Sequence, residues 1–571
     1  MYIEAVPNRK SPPAVLLRES YRQDGKVKKR TLANLSKWPP ELVEGFRILL
    51  KKGTAVPDFE SSFDIVRSQP HGHIAALLGS LRKIGLDRCL GPPGPQRDLV
   101  VALIVARLAH PRSKLATARS LQAATRTDSL APLLGLPDLD ENRLDDAMDW
   151  LLQRQDAIEK RLARRHLKEG SLVLYDLTSV YLEGRRCKLG KLGYSRDGKR
   201  GKLQIEFGLI CNREGCPVAV QVFKGNTSDP ATVGPVIEKL RHRFGLSRVI
   251  LVGDRGMLTQ ARIREEVQPS GLDWISALRG PAIRQLVESG AVQMSLFDEI
   301  NLVEIRSDAY PDERLMVCRN PLLARQRTRK RQEMLSKTEE LLDEIVAATR
   351  RDRRPYRGRE RIALRVGKVV NKYKMAKHFE LDITEESFTY ERNNESIAAE
   401  AALDGLYVIR TSLPAEEMGA EATVRAYKGL SVVEQAFRSY KTVDLKVRPI
   451  YHWSNDRVRA HVFLCLLVYY VEWHMRRRLA PLLFDDSDPA GASRSSVVAP
   501  AEVSRAAQQK ARSKRTADGQ PVHSFRTLLE DLATIVRNQV VPKIPGARPF
   551  TIVTRPTPLQ QQALDRLGVR L

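Results

Sequence analysis

Residues 171–183, SLVLYDLTSVYLE, indicate the fold class because a run of predicted strands begins with them. Its dense apolar and β-branched residues predict a buried strand, with Asp176 inside it. Two further strands are predicted in LQIEFGLICN (203–212) and PVAVQVFKG (217–225), on either side of a tight turn. After them the sequence predicts an amphipathic helix at 232–244, the apolar strand RVILVGD at 248–254, a short helix from Thr259 and the strand LDWISAL at 272–278.

The order of these elements restricts the architecture. Three consecutive strands are followed by a helix, a strand, a helix and a strand. This order favours an α/β sheet that mixes antiparallel and parallel neighbours, as in ribonuclease-H-like folds. The sequence therefore predicts a multidomain α/β protein whose ribonuclease-H-like core is interrupted by an insertion domain and flanked by helical N- and C-terminal regions.

The rest of the chain divides by its periodicity. Asp24-Gly25 between two β-capable runs predicts a hairpin, and helical spacing begins near residue 41 with Pro and Gly at the joints. The predicted segments are a β-hairpin region (1–40), a helical region (41–168), the first part of the core (169–278), an insertion domain (279–414), the second part of the core (415–482), a flexible Ser- and Ala-rich linker (483–521) and a helical C-terminal tail (522–571).

Composition points to a polyanionic partner. The 571 residues include 95 Lys and Arg against 68 Asp and Glu, a formal net charge of +27. The positive electrostatic field of such a charge attracts nucleic acid, since phosphates that are neutralised by the protein release their condensed counterions. An anionic membrane is a less favoured partner, and we expect no membrane association: the longest apolar run, 462–473, is too short to span a bilayer and predicts a buried helix.

Nothing in the spacing of the six cysteines predicts a disulfide framework or a zinc module. There is no CxxC and no Cys/His pair at zinc-ligand spacing. Cys211 and Cys216 flank a turn and are expected to face each other across a hairpin, reduced. The N-terminal residues lack the apolar stretch of a secretory signal, so a cytoplasmic protein is expected.

Two aspartates stand out because of where they lie. Asp176 is inside one apolar strand and Asp254 ends another, and an ionised carboxylate there is unfavourable unless a positive group meets it. Either Asp alone is explained by capping of a turn or helix. Two such acids on neighbouring strands of one sheet favour a shared chemical role.

A third carboxylate lies in AYKGLSVVEQAFRSYK, residues 426–441. Tyr427, Glu434 and Lys441 recur every seven residues, which predicts one helical face over four turns. Arg438 lies one turn after Glu434, so an ordinary ion pair between them is an alternative interpretation. Clustered carboxylates can hold two hard cations for phosphodiester cleavage, while Tyr427, Arg438 and Lys441 contact flanking phosphates.

The motifs together carry a resemblance to a known family. The sequence resembles the DDE transposases of bacterial insertion sequences, IS4 superfamily, in the runs YDLTSVY (175–181), GYSRDGKRGKLQIEFGL (193–209), VFKGNTSDP (222–230), VGDRGM (252–257) and YKGLSVVEQAFRSYKTVDLKVRPIYHW (427–453). The hairpin SYRQDGKVKKRTLANL (20–35) is most similar to the IS1634-type branch. The resemblance extends from Tyr21 to about Trp473.

The resemblance implies a reaction and its ligands. Asp176, Asp254 and Glu434 are the expected catalytic metal ligands, holding two Mg²⁺ ions for which Mn²⁺ can substitute. The expected DNA is the terminal inverted repeats of the element and a target DNA, bound by at least a dimer, with the region 41–168 contributing to DNA binding in a bacterial, nucleoid-associated protein. The family's helical pattern is met at Tyr427, Glu434 and Lys441, but Leu430 stands where it has Arg.

Several weaker positions complete the predicted site. Arg255 directly follows Asp254 and either contacts phosphate or caps a turn, and Asp229 precedes a predicted helix, which favours a structural role. A basic surface for DNA backbone contacts is expected from Arg325, Arg327, Arg329, Lys330, Arg331 and the cluster at 350–361.

Two other functions remain open from the sequence. One is a catalytically inactive DNA-binding regulator derived from a transposase, which Leu430 favours; the other is a metal-dependent nuclease that cuts without joining. Retention of all three carboxylates favours the active transposase over the regulator.

Overall fold

A computed structural model describes residues 1–9, 11–53, 62–293, 297, 300–488, 497–498, 503–543 and 547–571. These residues form two compact units. The small unit comprises Met1–Gly72, Ala533–Pro556 and Leu571, and the large unit comprises His73–Leu532 and Thr557–Arg570.

Both units contain strands and helices. The described strands are β1 (Tyr2–Val6), β2 (Ala14–Gln23), β3 (Lys26–Asn34), β4 (Phe63–Pro70), β5 (Ser171–Tyr181), β6 (Gln204–Asn212), β7 (Pro217–Lys224), β8 (Val249–Val252), β9 (Asp273–Ala277), β10 (Leu302–Ile305), β11 (Arg314–Arg319), β12 (Phe379–Ile383), β13 (Phe388–Arg392), β14 (Leu406–Thr411), β15 (Val536–Pro542) and β16 (Phe550–Val553). The described α-helices are α1 (Pro40–Leu50), α2 (Gly72–Lys83), α3 (Leu86–Leu90), α4 (Pro95–Ala109), α5 (Lys114–Leu121), α6 (Leu130–Leu134), α7 (Glu141–Leu152), α8 (Gln155–His166), α9 (Val233–Glu238), α10 (Gln260–Arg262), α11 (Gly280–Glu288), α12 (Pro321–Thr349), α13 (Arg359–Lys372), α14 (Asn394–Ala401), α15 (Ala420–Lys428), α16 (Leu430–Arg438), α17 (Asn455–Leu479), α18 (Arg505–Ser513), α19 (Phe525–Ala533) and α20 (Pro558–Leu567).

The small unit contains two three-stranded sheets, ordered β1-β2-β3 and β16-β15-β4. The predicted N-terminal hairpin is confirmed as β2 and β3, joined by Asp24 and Gly25 with φ of 52° and 73°. Both residues of this turn have positive φ, as a two-residue hairpin turn requires.

The C-terminal tail differs from the expected all-helical segment. The helix predicted from Phe525 ends at Ala533, and residues from Val536 onward form β15, which pairs with β4 and β16. Clustered β-branched side chains at 535–536 and 540–541 restrict helical χ1 rotamers and suit a strand. The pairing partner β4 lies far away in the sequence, so local periodicity did not reveal it.

The large unit is built on one eight-stranded sheet, ordered β10-β11-β14-β9-β8-β5-β6-β7. Strand β5 is antiparallel to β6, β6 to β7, and β5-β8-β9 are parallel neighbours. The predicted α/β fold with a mixed sheet is confirmed. Strand β14 pairs antiparallel with β9, so β10, β11 and β14 extend the same sheet.

The segment predicted as an insertion, 279–414, therefore has two parts. Its strands β10, β11 and β14 belong to the main sheet. Helices α12 and α13 and the hairpin β12-β13 enclose an apolar cluster of their own, formed by Leu335, Leu342, Ile345, Ile362, Val366, Val370, Met375, Phe379 and Phe388. A buried cluster of this size is typical of a subdomain that folds around its own core.

The apolar run 462–473 lies in α17, which is buried along most of its length and packs against α4, α7 and β7. Among the described residues, no helix has the length and apolarity needed to cross a membrane. Within the predicted linker the structure contains α18, while 489–496 and 499–502 lie outside the described residues. All six cysteines are free and buried, as expected for reduced thiols.

Candidate active site

Asp176 and Asp254 are brought level with each other by the register of two parallel strands. Leu174 in β5 pairs with Val252 in β8, and each aspartate follows its paired residue by two positions. Because side chains alternate along a strand, residues two positions beyond a pair lie side by side on one face of the sheet, here in the middle of β5 and just past the carboxyl end of β8. This is the juxtaposition that the sequence predicted.

Short backbone hydrogen bonds hold both carboxylates. The amides of Gly256 and Met257 each donate to Asp254 Oδ1 at 2.9 Å, and the Leu177 amide donates to Asp176 Oδ1 at 2.8 Å. A Cβ at Gly256 would lie 3.3 Å from both carboxylate oxygens of Asp254, so glycine gives this turn room to close around the carboxylate. Turn capping and a chemical role are therefore compatible at Asp254.

Glu434 lies on α16, which packs across β5 and β6. The ring of Phe437, one turn after Glu434, meets Phe207 edge-on with centroids 5.8 Å apart. Val433 and Phe437 are buried, whereas Glu434 is exposed. The apolar stripe thus fixes the helix on the sheet and leaves the Glu434 carboxylate on the accessible side.

Electrostatics show that the three acids share one site. The pKa of Asp176 is raised to about 7, first by burial and then by the carboxylates of Asp254 and Glu434, against the effects of the Leu177 amide and Arg196. Like charges close enough to act on Asp176 disfavour its ionised form. Yet no three Asp and Glu carboxylates among the described residues lie mutually within 4.8 Å, so Asp176, Asp254 and Glu434 form an open arrangement.

Tyr427 and Arg255 line the same site. Burial raises the pKa of Tyr427 to about 12, with contributions from Asp254, Asp176 and Glu434 that Arg255 partly offsets. The Arg255 side chain is exposed, and its carbonyl oxygen accepts a hydrogen bond from Arg279 Nε at 3.2 Å. The structure therefore brings five of the seven predicted residues together.

The other two predicted residues, Arg438 and Lys441, have different surroundings from these five. Arg438 is exposed on the last turn of α16. Lys441 lies in a π-helical turn, Ser439–Val443, that follows α16 and interrupts the ideal spacing assumed for the face. Its Nζ donates to Asp197 Oδ1 at 2.8 Å, and Arg448 pairs with the same carboxylate. Lys441 thus has a structural partner that the seven-residue spacing did not indicate.

The basic surface predicted on α12 needs one correction. Arg325, Arg327, Arg329 and Lys330 are exposed. Arg331 is buried, and its guanidinium pairs with the carboxylate of Asp404 at 3.1 Å from NH1 to Oδ1. Consecutive residues of an α-helix point about 100° apart, so a run of neighbouring basic residues cannot share one face.

Three charged residues beside the acids were not assigned to the site from the sequence. Arg196 NH2 lies 2.5 Å from Asp229 Oδ1, and Arg196 NH1 lies 3.4 Å from Glu206 Oε1. Asp229 Oδ2 lies 3.6 Å from the position that a Cβ on Gly256 would occupy, close to Asp254. Burial, then Asp229, raises the pKa of Glu206 to about 7 against the effect of Arg196. The motifs GYSRDGKRG and GNTSDP contain Arg196 and Asp229 but gave no indication that they meet.

Two models of protein families match parts of the chain. The family model described as "Transposase DDE domain" matches residues 168–471, and the model described as "IS1634 family transposase, N-terminal domain" matches residues 3–57. None of the curated proteins compared with the chain matches it. Among solved structures, the chain is similar to the piggyBac transposase in a synaptic complex with hairpin DNA, at 9% identity and a TM-score of 0.34, over 81% of this chain and 76% of that one.

Proposed function

The chain belongs to the DDE transposases of the IS1634 family, and we propose that it cuts DNA at the ends of an insertion sequence and transfers the freed 3′ ends to target DNA. The observation that supports this reaction best is the level placement of Asp176 and Asp254 on adjacent parallel strands, with Glu434 electrostatically coupled to Asp176 from the helix above. Three carboxylates converging from separate elements at one sheet edge suit phosphoryl transfer.

The residues fit a divalent cation site. DDE transposase domains generally use divalent metal ions, and the donor set here consists of carboxylate oxygens, which hard cations such as Mg²⁺ and Mn²⁺ prefer. Burial raises the pKa of Asp176 and the charges of Asp254 and Glu434 add to that shift, so a bound cation would stabilise the ionised carboxylate. We propose that Asp176, Asp254 and Glu434 hold two such ions, which when bound activate the attacking hydroxyl and stabilise the leaving oxygen.

The surrounding side chains have roles that follow from their charge states. The Tyr427 phenol, with a pKa near 12, stays protonated at neutral pH and can donate a hydrogen bond to a phosphate oxygen. Arg255 supplies exposed positive charge beside the acids, and we propose that the exposed Arg438, one turn after Glu434, contacts a flanking phosphate. Arg196 keeps Asp229 and Glu206 anchored behind the site through its two ion pairs. These are the phosphate-positioning and carboxylate-positioning groups of the proposal.

The strand order supports a proposed ribonuclease-H-like core. The series β7-β6-β5-β8-β9 combines an antiparallel meander with two parallel additions. We propose that the core consists of segments 169–278 and 415–482, that β10, β11 and β14 are an edge extension, and that the α12–β13 subdomain is the insertion. The region 41–168 is the proposed contributor to binding of the terminal repeats.

The exposed basic residues of α12 are proposed to contact DNA phosphates. Arg325, Arg327 and Lys330 project from a helix in a chain of formal net charge +27, and such contacts weaken with salt. Pairing of two DNA ends requires at least a dimer, which we propose for the active assembly, acting in the bacterial cytoplasm at the nucleoid.

Cleavage and joining assays test the proposal. Wild type, Glu434→Gln and the matched control Glu421→Gln are incubated with DNA carrying the element's own ends, with Mg²⁺ or Mn²⁺. Glu421 is exposed on α15, the preceding helix, and pairs with Arg425 one turn later. We expect wild type and Glu421→Gln to cut and join, and Glu434→Gln to lose both by at least about a thousandfold while retaining DNA binding.

The other results each contradict part of the proposal. Activity that survives in Glu434→Gln would remove Glu434 from the active site. Cutting by wild type without any joining would indicate a nuclease, and DNA binding without cutting would indicate the inactive regulator.

A further inference from the structure

A second cluster of metal-ligating side chains lies outside the carboxylate site. Among the described residues, one imidazole nitrogen each from His166 and His474 and the Sγ of Cys216 lie within 4.8 Å of one another. His166 ends α8, Cys216 follows the β6–β7 turn and His474 lies near the end of α17. Three elements distant in the sequence thus contribute one ligand each.

We propose that His166, Cys216 and His474 bind a transition-metal cation of the zinc class. Zn²⁺ prefers thiolate and imidazole ligands in tetrahedral geometry, with Zn–S near 2.3 Å and Zn–N near 2.0 Å. Those bond lengths separate an S and an N ligand by about 3.6 Å at the tetrahedral angle. Cys216 Sγ lies 3.8 Å from His166 Nε2, which requires only a small movement to meet this spacing.

One nitrogen of this cluster, in His474, is available to coordinate a cation. Nε2 of His474 is buried from solvent and has no hydrogen-bond partner among the described residues. A buried polar atom without a partner is unfavourable, and most such atoms in folded proteins are satisfied by protein, water or an ion. His166 Nε2 forms a hydrogen bond with the Tyr470 hydroxyl at 2.9 Å, and a cation bound at this nitrogen would displace that hydrogen bond.

The two imidazoles are in the form that ligation needs, whereas the Cys216 thiol has to lose its proton when a cation binds. Burial lowers the pKa of His166, and it lowers the pKa of His474 to about 4, so both rings are neutral at physiological pH, as metal ligation requires. Burial raises the pKa of the Cys216 thiol, and Arg477 opposes that shift. A bound cation deprotonates a coordinating thiol, so its binding would release the Cys216 proton to solvent.

The turn before Cys216 is ordered and offers a fourth ligand. Asn212 Oδ1 accepts hydrogen bonds from the amides of Glu214 and Cys216 at 3.0 Å and 2.9 Å. Glu214 is exposed and acts electrostatically on both His166 and Cys216. The fourth position therefore falls on the solvent side, to water or to the Glu214 carboxylate after release from its ion pair with Arg477.

The position of the site gives it a structural consequence. A Cβ on Gly215 would lie 2.8 Å from Cγ2 of Val432, so the β6–β7 turn packs tightly against α16, two residues before Glu434. A cation at Cys216 ties this turn to α8 and α17. The site is thus placed to stiffen the support of the helix that carries Glu434, without contacting the reacting DNA.

Cobalt substitution tests the site directly. Co²⁺ alone is titrated into metal-stripped protein, and thiolate-to-cobalt charge-transfer absorption, which carboxylate sites cannot give, is recorded before competition with Zn²⁺. We expect about one equivalent of thiolate-bound Co²⁺ in wild type, displaced by Zn²⁺, and none in Cys216→Ser. The matched control Cys187→Ser replaces another buried cysteine, whose Sγ meets Asn455 Oδ1 at 3.4 Å, and should keep the absorption.

A second variant separates ligation from folding. His474→Gln keeps the thiol but removes one nitrogen ligand, and should weaken Co²⁺ binding by at least about tenfold while its circular dichroism spectrum matches wild type. Zn²⁺ should raise the thermal midpoint of wild type but not of Cys216→Ser. Absence of thiolate absorption in folded wild type, or its persistence in Cys216→Ser, would overturn the proposal. Neither result depends on transposition activity.

Discussion

Replacing Glu206 by Gln should stabilise the folded protein above neutral pH. Glu206 is 3% exposed, and its only charged partner at ion-pair distance is Arg196, 3.4 Å away, among the described residues. Its Oε2 is buried and makes no hydrogen bond to the described part of the chain. Asp229 competes for the same guanidinium at the shorter distance of 2.5 Å, so an ionised Glu206 is poorly compensated.

The size and sign of the effect follow from the pKa. Burial raises the pKa of Glu206 from its ordinary value of 4.5 to about 7. The folded state therefore holds the proton more tightly than the unfolded state, and the stability is fully present below pH 4.5 and is lost as pH rises through 7. The loss amounts to about 3 kcal/mol. Glu206→Gln removes this loss but costs about 1 kcal/mol for an imperfectly bonded amide, so the variant should be about 2 kcal/mol more stable than wild type at pH 8 and up to about 1 kcal/mol less stable at pH 4.5.

Urea unfolding of wild type and variant, followed by tryptophan fluorescence from pH 4.5 to 8 without added Mg²⁺ or Mn²⁺, measures this difference. The matched control is Glu183→Gln, because Glu183 is an exposed glutamate paired with Lys202 at 2.9 Å; its unfolding free energy should follow wild type within about 0.5 kcal/mol at every pH. If Glu206→Gln is less stable than wild type at pH 8, or if the difference in unfolding free energy is independent of pH, ionised Glu206 does not destabilise the folded protein.

Two further substitutions test the packing that supports the site. Lys239→Met should lower the free energy of unfolding by about 3–5 kcal/mol, because Lys239 Nζ and Glu159 Oε2 are 2.8 Å apart with side chains 3% and 0% exposed. Adding Glu159→Leu should recover much of that loss. If Lys239→Met alone is as stable as wild type in urea, the variant does not bury an unpaired charge. Gly215→Ala should lower the free energy of unfolding by about 1–3 kcal/mol, because the φ of Gly215 is +81° and an added Cβ would lie 2.8 Å from Val432. The control Gly245→Ala has a φ of +73° and open space around the added Cβ, so it tests the backbone strain alone. Equal thermal midpoints for the two variants would show that the contact with Val432 does not matter.

The strands of the core were predictable because their signals are local. Residues 171–183, 203–212 and 248–254 have the apolar density of buried strands, and β5, β6 and β8 are found there. Asp176 and Asp254 stood out for the same reason, as charges in apolar runs. Their alignment needed only the additional rule that neighbouring parallel strands share an edge.

Contacts between distant segments were not predictable in the same way. The pairing of β15 with β4 joins residues near opposite ends of the chain, and the extension of the sheet by β14 places part of the predicted insertion beside β9. Neither depends on a periodicity inside one segment. The ion pairs of Arg196 with Glu206 and Asp229 likewise had no local signal, because in the sequence Arg196 is one of several basic residues in a glycine-rich run.

Spacing rules also explain why the zinc-class cluster escaped the sequence. Known zinc modules supply ligands in closely spaced pairs, whereas residues 166, 216 and 474 come from three separate elements. At Lys441, seven-residue spacing predicted a shared face, and the π-helical turn with the ion pair to Asp197 is a feature that the spacing did not indicate.

The charge distribution connects the proposed reaction to its ions. The chain as a whole is strongly basic, with a formal net charge of +27, but Asp176, Asp254 and Glu434 repel one another where a phosphate would react. Long-range attraction would therefore bring DNA to the surface, while the acid site repels a phosphodiester until cations neutralise it. On the proposed function, ion binding and phosphate entry are coupled, since each supplies the charge that the other lacks. The same repulsion that lowers the stability of the folded core would then restrict cutting to the ion-bound protein.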